Sequence, residues 1–250
     1  MKLPPFFKYF GSKNRSGALY PEPTHDRIIE PFAGGAGYAM NYPEHDVLLC
    51  DTDERVIKVW KYLIGASEDE IMDLPLLEVG QNVRSLNLPI GPQLFISCCI
   101  NTSPFRNVLS SWSNDVHSSL WSAGWRERVA KHVKHIRHWE ALCCDYGHLE
   151  NHKATWFIDP PYRTLQEHYD ASKKRPIDYA HLGQWCKSRQ GQVIVCEQDG
   201  AKWLPFQRLG TFKAVRGPRT CEEAIWTNDG CAYAPEPTAK PLGQVGLFGT

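Results

Sequence analysis

The sequence predicts an α/β domain built around a mostly parallel sheet, and three observations predict it. A short apolar strand, Asp26 to Glu30, breaks into a glycine-rich loop, and a second strand, Asp46 to Asp51, leads into a helical pattern from Glu54. This order of strand, loop, strand and helix is how a parallel sheet begins. The strand pattern returns at Thr155 and continues to about Asn228, so we expect the second part of the chain to complete the sheet.

The composition is that of an ordinary globular protein and favours no particular partner. Hydrophobic residues make up 42% of the 250 residues, charged residues make up 22%, and 28 basic side chains balance 28 acidic ones. Binding to nucleic acid would therefore depend on clustered basic side chains rather than on net charge. The nine cysteines include no C-x-x-C spacing, and the sequence shows neither a secretory signal pattern nor an apolar run of about 20 residues. We expect reduced cysteines and a cytoplasmic location.

The middle of the chain is predicted to be a helical insert. Ser67 and Glu70 have the spacing of a capping box, and helical patterns dominate beyond them. From Gly124 to Leu142 the predicted helix has an apolar stripe and a basic remainder, which suits either phosphate contacts or a solvated surface. The stripe holds Trp125, Val129, Val133 and Ile136. We predict a sheet domain formed by 1–66 and 143–231, a helical insert over 67–142 and a flexible Pro/Gly-rich tail over 232–250.

The stretch EPFAGGAG, Glu30 to Gly37, and the acid Asp51 together favour an adenosine-containing cofactor. Glycines between a strand and a helix let the backbone approach a ligand, although a tight turn without a ligand is the alternative. Asp51 ends the second strand, where a carboxylate can accept hydrogen bonds from both hydroxyls of a ribose. It could instead cap the next helix, a role open equally to Asp53. Lys13 follows Gly-Ser and could meet a carboxylate or phosphate of the same cofactor.

The stretch TWFIDPPYRT, Thr155 to Thr164, ends a hydrophobic strand in an acid, two prolines and a tyrosine that we expect to be exposed. A strand that stops at Asp159 delivers its carboxylate to the carboxyl edge of the sheet, where open α/β sheets bind ligands. Pro160 has no N–H and, with Pro161, fixes the directions of the neighbouring carbonyls. A carboxylate, a carbonyl and the ring of Tyr162 suit an amine on a heteroaromatic ring. An ordinary proline-rich turn is the alternative.

From about Pro5 to Asn228 the chain resembles the adenine-specific DNA methyltransferases of the Dam type, whose motifs it carries in the same order. The segments are FFKYFGSK, IIEPFAGGAGYAM, LLCDTDERVI, INTSPFRN, WEALCCDY and WFIDPPY. The resemblance implies a Rossmann-like S-adenosylmethionine-dependent methyltransferase fold with helices on both faces of the sheet. It makes the sheet domain catalytic and 67–142 the target-recognition insert. It also implies S-adenosyl-L-methionine as cofactor, double-stranded DNA as partner, and no metal.

The resemblance further implies which residues form the site. Tyr9 stands where the family commonly has a tryptophan, and Ser12 where it has a glycine, but the aromatic face and the lysine are kept. The predicted cofactor contacts are Tyr9, Lys13, Glu30, Phe32, Gly34, Gly37, Asp51, Asp145 and Asp159. The predicted catalytic residues are Asp159, Pro160, Pro161 and Tyr162. The predicted DNA contacts are Asn101, Arg106, Asn107, Arg126, Lys131 and Lys134.

The resemblance and the tetrapeptide together imply methylation of the 6-amino group of an adenine that is flipped out of the duplex and stacks on Tyr162. Asp159 and the Pro160 carbonyl would hold the two N–H bonds, and an aspartate rather than a serine argues for adenine over cytosine. The alternatives are the same chemistry on RNA or protein, and a non-catalytic DNA-binding relative. His132, His135 and His138 share a helix face, but the cations between them disfavour a metal site.

The end of the chain carries a separate signal, GQVGLFG. Gln244, Leu247 and Phe248 resemble the Q-x-x-L-F peptides by which bacterial proteins dock on the replication sliding clamp. An exposed leucine and phenylalanine in a flexible tail would form a two-pocket anchor. The alternative, a tail that folds back onto its own domain, is equally open.

Overall fold

The structure is a computed structural model that describes residues 1–13, 16, 19–100, 104–109, 121–162, 176–213 and 220–230. In these ranges seven strands form one sheet. The strands are β1 (Arg27–Glu30), β2 (Asp46–Asp51), β3 (Glu140–Cys143), β4 (Ala154–Ile158), β5 (Gly191–Gln198), β6 (Gln207–Lys213) and β7 (Thr220–Thr227). The α-helices are α1 (Glu54–Gly65), α2 (Glu68–Met72), α3 (Ile90–Cys99), α4 (Ala123–Val133) and α5 (Tyr179–Ser188).

The sheet is mostly parallel, with the strand order β3-β2-β1-β4-β5-β7-β6. Every neighbouring pair is parallel except the two that involve β7, which runs antiparallel to β5 and to β6. The chain moves outward from β1 through β2 to β3, and then restarts beside β1 with β4. The order therefore reverses between β1 and β4, and in open α/β sheets the crevice at such a reversal is where ligands bind.

Helices cover both faces of the sheet because successive strand residues point to opposite faces. On one face, Ile28 and Phe157 pack in a core cluster with α1, α3 and α4. On the other face, Ile29 and Trp156 pack in a second cluster with α5. The predicted fold class, a Rossmann-like α/β fold with a mostly parallel sheet and helices on both faces, is confirmed.

Local signals in the sequence begin several helices where they were expected. The Ser67 hydroxyl accepts from the Glu70 amide while the Glu70 carboxylate accepts from the Ser67 amide, so the predicted capping box forms at α2. Asp53 caps α1 by accepting from the Arg55 amide at 3.0 Å. None of the helices in the described ranges is both long and apolar enough to span a bilayer.

The helix predicted from Gly124 to Leu142 is shorter than its periodicity suggests. The α-helix ends at Val133, one 3-10 turn follows, and Glu140 to Cys143 form the edge strand β3. Main-chain pairing of β3 with β2 takes precedence over helical continuation there, because it satisfies backbone groups along an otherwise open edge. The apolar stripe is buried as predicted. β3 thus begins inside the range that the sequence assigned to the insert.

Candidate active site

A pocket opens at the carboxyl edge of the sheet, at the reversal between β1 and β4. It encloses about 870 Å³ of space, a figure that includes open solvent at its mouth. Glu30 at the end of β1 and Asp159 just beyond β4 both line it. All of the predicted cofactor residues line this pocket, namely Tyr9, Lys13, Glu30, Phe32, Gly34, Gly37, Asp51, Asp145 and Asp159. Of the tetrapeptide, Pro161 also lines it.

The glycine loop is shaped by close contact with the N-terminal segment. Gly34 has φ +45°, and a Cβ built on it would lie 2.7 Å from the Tyr9 ring. A Cβ on Gly35 would lie 2.8 Å from the Ser12 hydroxyl oxygen. Trp60 of α1 donates its indole N–H to the Gly34 carbonyl at 2.9 Å. Glycine is therefore required at these positions because the loop lies directly beneath the predicted cofactor segment.

Asp51 holds the loop and the start of α1 in place. One carboxylate oxygen accepts from the Gly34 amide at 3.0 Å and the other from the Asp53 amide at 2.9 Å. Burial raises the pKa of Asp51 to about 6, although these backbone donors oppose the rise. Each carboxylate oxygen has a second lone pair for a ligand hydroxyl. Because Asp53 is the helix cap, the capping alternative for Asp51 does not apply.

Asp145 and Phe32 also line the pocket. Asp145 follows β3 and accepts from the Gly147 amide at 2.9 Å, which caps a short 3-10 turn. The Phe32 ring packs against Tyr146 with centroids 5.5 Å apart. This part of the pocket is thus an apolar surface with a carboxylate beside it.

The tetrapeptide after β4 differs from the sequence expectation in one respect. Asp159 reaches the pocket, and burial raises its pKa to about 6, with the Lys13 ammonium opposing and Glu223 reinforcing the rise. Tyr162 was expected to be exposed, but it is only 7% exposed. Its hydroxyl donates to the Glu223 carboxylate and accepts from the Lys13 ammonium. Buried hydrogen-bond partners, which its local sequence does not reveal, turn the ring inward.

Lys13 is a buried cation surrounded by acceptors. It is 5% exposed, and its Nζ lies 3.1 Å from Asp159 Oδ1 and 3.3 Å from Glu223 Oε2. Burial alone would lower the pKa of Lys13, but the two carboxylates outweigh burial and raise the pKa above its ordinary value. Lys13 therefore remains charged at neutral pH and links the tetrapeptide to β7.

Glu223 is a buried acid that sequence reasoning did not single out: it does not line the pocket, but it contacts Lys13, which does. It lies in β7 and is 8% exposed. The only sequence signal was an acid two residues before Ile225, which places both side chains on one face of a predicted strand. That signal does not show that this face meets Lys13, which is distant in the chain.

The predicted DNA contacts are divided between two edges of the molecule, and Asn101 lies outside the described residues. Arg106 and Asn107 lie near the pocket edge, because the neighbouring Phe105 ring is 4.4 Å from the Arg55 guanidinium at the start of α1. Arg106 is exposed, and the Asn107 carbonyl accepts from the Val83 amide at 2.7 Å. Neither residue is among those that line the pocket.

The structure does not bring the basic residues of α4 to the pocket. Arg126 is half-buried and its guanidinium donates to the Leu74 carbonyl. Lys131 and Lys134 are exposed near the end of α4, where Lys131 pairs with Glu127 at 2.7 Å. The chain just beyond them reaches the amino edge of the sheet, since the His138 ring donates to the His45 carbonyl beside the start of β2.

Two further predictions concern a metal and the tail. Among the described residues, no group of three or more histidines, cysteines, aspartates or glutamates is placed to hold a metal ion. Gln244, Leu247 and Phe248 lie outside the described residues, as does the whole of 232–250.

Residues 16–85 match the family model of the D12 class N6 adenine-specific DNA methyltransferases. The matched segment contains the glycine loop, Asp51 and the first two strands with α1. The match confirms the resemblance predicted from the sequence and the predicted class of enzyme, an adenine-specific DNA methyltransferase.

Two solved structures show a distant likeness to the chain. A conserved hypothetical protein from Streptococcus pyogenes is 11% identical, with 82% of this chain and 86% of that chain covered and a TM-score of 0.34. A Haemophilus influenzae protein described as a candidate methylase is 10% identical, with 81% and 78% covered and a TM-score of 0.34. No curated protein matches the chain. The family match alone therefore bears on activity.

Proposed function

We propose that this chain, as an adenine-specific DNA methyltransferase, transfers a methyl group from S-adenosylmethionine to the 6-amino group of an adenine flipped out of duplex DNA. The observation that carries the proposal is that one pocket joins two predicted half-sites. The glycine loop and Asp51 supply a place for an adenosine group, and Asp159 supplies an acceptor for an amine.

The residues present fit S-adenosylmethionine. The glycine loop offers backbone groups at close range, and Asp51 is held rigidly by two amides with lone pairs left for ribose hydroxyls. The pocket lining contains more acids than bases, which suits a ligand with a positively charged sulfonium. When bound, S-adenosylmethionine supplies the methyl group. Tyr9, Phe32 and Asp145 would hold its planar and polar parts.

Asp159 and the Pro160 carbonyl would orient the target amine. An adenine amine is a poor nucleophile because its lone pair is delocalised into the ring, and two acceptors on its N–H bonds favour a more tetrahedral nitrogen. Positioning and electrostatic stabilisation of this kind supply most of the acceleration expected here. Tyr162 is buried beside Asp159, so its contribution here would be to hold the Lys13 ammonium next to that carboxylate.

The reaction releases one proton, and Asp159 is suited to take it. A nitrogen–carbon bond forms as the carbon–sulfur bond breaks, the sulfur becomes neutral, and the amine loses a proton. Because burial raises the pKa of Asp159 to about 6, its carboxylate is ionised at neutral pH and is a stronger base than an exposed aspartate.

The proposal is tested by incubating the protein with labelled S-adenosylmethionine and unmethylated duplex DNA, followed by mass spectrometry of the nucleosides. We expect N6-methyladenine from the wild type and at least about a 100-fold loss in Asp159→Asn. Asp46→Asn is the matched control, because Asp46 lies at the opposite edge of the sheet and pairs there with Arg27 at 3.1 Å. Cofactor binding without DNA methylation would favour RNA or protein as substrate, and absence of cofactor binding would favour a non-catalytic DNA-binding relative.

DNA would approach the carboxyl edge of the sheet, where the pocket opens. Phe105, which precedes Arg106 and Asn107, contacts Arg55 near the start of α1 at this edge. We therefore assign them to the DNA surface ahead of Lys131 and Lys134, which lie towards the amino edge.

The C-terminal peptide is a second, separate element of the proposal. The pattern at Gln244, Leu247 and Phe248 supports docking on a bacterial sliding clamp. Deletion of Leu247 and Phe248 is expected to weaken binding to a purified clamp by at least about tenfold, measured by surface plasmon resonance. Deletion of Gly249 and Thr250 is the matched control. Equal affinity of the two truncated proteins would eliminate this part of the proposal.

A further inference from the structure

Glu223 is a buried carboxylate that the proposed chemistry does not yet use. Its strand, β7, is the antiparallel one, and the register places Glu223 opposite Gln198 of β5 and Gly210 of β6. Its Oε2 lies 3.3 Å from the Lys13 ammonium and accepts from the Tyr162 hydroxyl. Three segments far apart in sequence thus meet at one carboxylate beside the predicted catalytic aspartate.

The direction of each hydrogen bond follows from counting donors. An ammonium has three N–H donors and no acceptor, so Lys13 can only donate. The Tyr162 oxygen therefore accepts from Lys13, and its single proton must go elsewhere. The Glu223 carboxylate accepts a hydrogen bond from the Tyr162 hydroxyl. The Tyr162 hydroxyl proton is therefore satisfied only if Glu223 presents an acceptor oxygen at this position.

Lys13 carries the same constraint to the catalytic aspartate. Its Nζ is within 3.1 Å of Asp159 Oδ1 while it also meets Glu223 and Tyr162. Among the described residues, these three oxygens match the three donors of the ammonium. If Lys13 moved towards one of the two carboxylates, the other carboxylate would therefore have to move as well to keep its contact with the ammonium.

We infer that Glu223 is the positioning carboxylate of the methyl-transfer site: by holding the Tyr162 hydroxyl and the Lys13 ammonium, it fixes the Tyr162 ring and the Asp159 carboxylate relative to each other. This inference rests on the proposed function and deepens it. A side chain held at its hydroxyl as well as at its backbone cannot swing, so the buried Tyr162 keeps the Lys13 ammonium in a fixed position beside Asp159. Glu223 itself need not touch the base.

The test uses the full-length chain and separates the hydroxyl of Tyr162 from its ring. Tyr162→Phe keeps the buried ring and removes only the hydroxyl that meets Lys13 and Glu223. If Glu223 anchors the Tyr162 hydroxyl, both Tyr162→Phe and Glu223→Gln should lower kcat by roughly 100-fold, because small misplacements of reacting groups have effects of this size. KM for DNA and KM for the cofactor should each change by less than about threefold. Glu223→Gln keeps an oxygen that can accept from Tyr162 but removes the negative charge that pairs with Lys13. The double variant should therefore lose less than the two single losses combined, because both changes loosen the same group of Tyr162, Glu223 and Lys13.

Glu222→Gln is the matched control. Glu222 neighbours Glu223 on the same strand, but its carboxylate is half-exposed and pairs with Arg208 at 3.0 Å on the surface. We expect its kcat to equal that of the wild type. A separate signature comes from 3-fluorotyrosine labelling: the resonance that disappears in Tyr162→Phe should shift in Glu223→Gln and stay in place in Glu222→Gln.

The possible results separate failure of this inference from failure of the proposed methyltransferase function. If the wild type methylates adenine and Tyr162→Phe turns over at the same rate, the inference is overturned while the function stands, even should Glu223→Gln fail to fold. Additive losses in the double variant also overturn it, since they indicate independent structural effects. If the wild type does not methylate DNA, the proposed function fails and the inference fails with it.

Discussion

At the scale of single residues, Glu30 shows how burial changes the chemistry of one side chain. It is 2% exposed, and it accepts a hydrogen bond from the Ala39 amide at 2.7 Å. Burial raises the pKa of its carboxyl from 4.5 to about 8, although the Ala39 amide opposes the rise. Between these two pH values the folded protein keeps a proton that the unfolded chain has lost. The stability contributed by Glu30 is therefore fully present below about pH 4.5 and is lost as pH rises through about 8.

Glu30→Gln should separate this effect from every other titration. Glutamine keeps the oxygen that accepts from Ala39 but carries no charge at any pH. From pH 5.5 to 8.5 we expect the wild type to lose roughly 3 kcal/mol of unfolding free energy relative to the variant. Urea unfolding followed by circular dichroism at several pH values would measure the difference. A difference that stays constant across this range would show that Glu30 does not titrate as described.

Two other acids should make cofactor binding depend on pH. Burial raises the pKa of both Asp51 and Asp159 to about 6. A positively charged ligand favours the ionised form of a nearby carboxylate, so affinity for S-adenosylmethionine should increase as pH rises from 5 to 7, by up to about tenfold per pH unit. Calorimetric titrations across this range would measure it. Affinity that is independent of pH, or that falls, would contradict the prediction.

At the scale of elements, the glycine loop after β1 depends on the segment packed above it. Gly34 has a positive φ, and there is no room for a Cβ between it and the Tyr9 ring. Its carbonyl accepts a hydrogen bond from Trp60, and its amide donates one to Asp51. The positive φ and the lack of space for a Cβ therefore both favour glycine at position 34, and the two hydrogen bonds hold the loop in this conformation.

Gly34→Ala is expected to damage the cofactor site more than the fold. The left-handed conformation costs an alanine about 1–2 kcal/mol, and the new methyl group would displace Tyr9 from the pocket. We expect cofactor affinity to fall by at least about tenfold, measured by calorimetry. Gly124→Ala is the matched control, because Gly124 lies in α4 with no atom within 4 Å of a new Cβ, so it should raise stability by about 0.5–1 kcal/mol. Equal cofactor affinity in the two variants would refute the role assigned to Gly34.

At the scale of the whole molecule, the two edges of the sheet carry different sets of charged side chains. Parallel strands bring Glu30, Asp51 and Asp159 to the carboxyl edge, where the pocket opens. The end of α4 lies towards the amino edge, with Lys131 and Lys134 on its exposed surface. A duplex that inserts a base into the pocket would have to contact the carboxyl edge first.

The salt dependence of DNA binding should distinguish the two edges. Arg106→Ala is expected to weaken binding to duplex DNA and to lower the slope of log affinity against log salt by about 1, as the loss of one phosphate contact does. Lys134→Ala removes an equal charge from an exposed position towards the other edge and should leave the slope unchanged. Fluorescence anisotropy at several salt concentrations would measure both. The opposite result would place the DNA on α4.

Local patterns in the sequence were sufficient to predict much of the fold and most of the pocket. Strand and helix periodicity predicts the parallel core, and the spacing of Ser67 and Glu70 predicts a capping box that forms. The glycine loop, Asp51 and the acid after TWFI all lie at strand ends, and the ends of parallel strands necessarily meet at one edge. Nearness to that edge is therefore a property of position along the chain, which the sequence contains.

The sequence by itself determined the fold class, the edge of the sheet at which the pocket lies and the acids that reach it. The fold class follows from the order of strands and helices along the chain, and the edge and its acids follow from which residues end each strand. Only the tertiary structure decided that Tyr162 is buried, that Glu223 joins Lys13 and Asp159, and that Glu140 to Cys143 form an edge strand rather than a helix. Each of these depends on which distant segment supplies a hydrogen-bond partner. A buried polar group must find that partner wherever the fold brings it, and local periodicity contains no information about which segment that is.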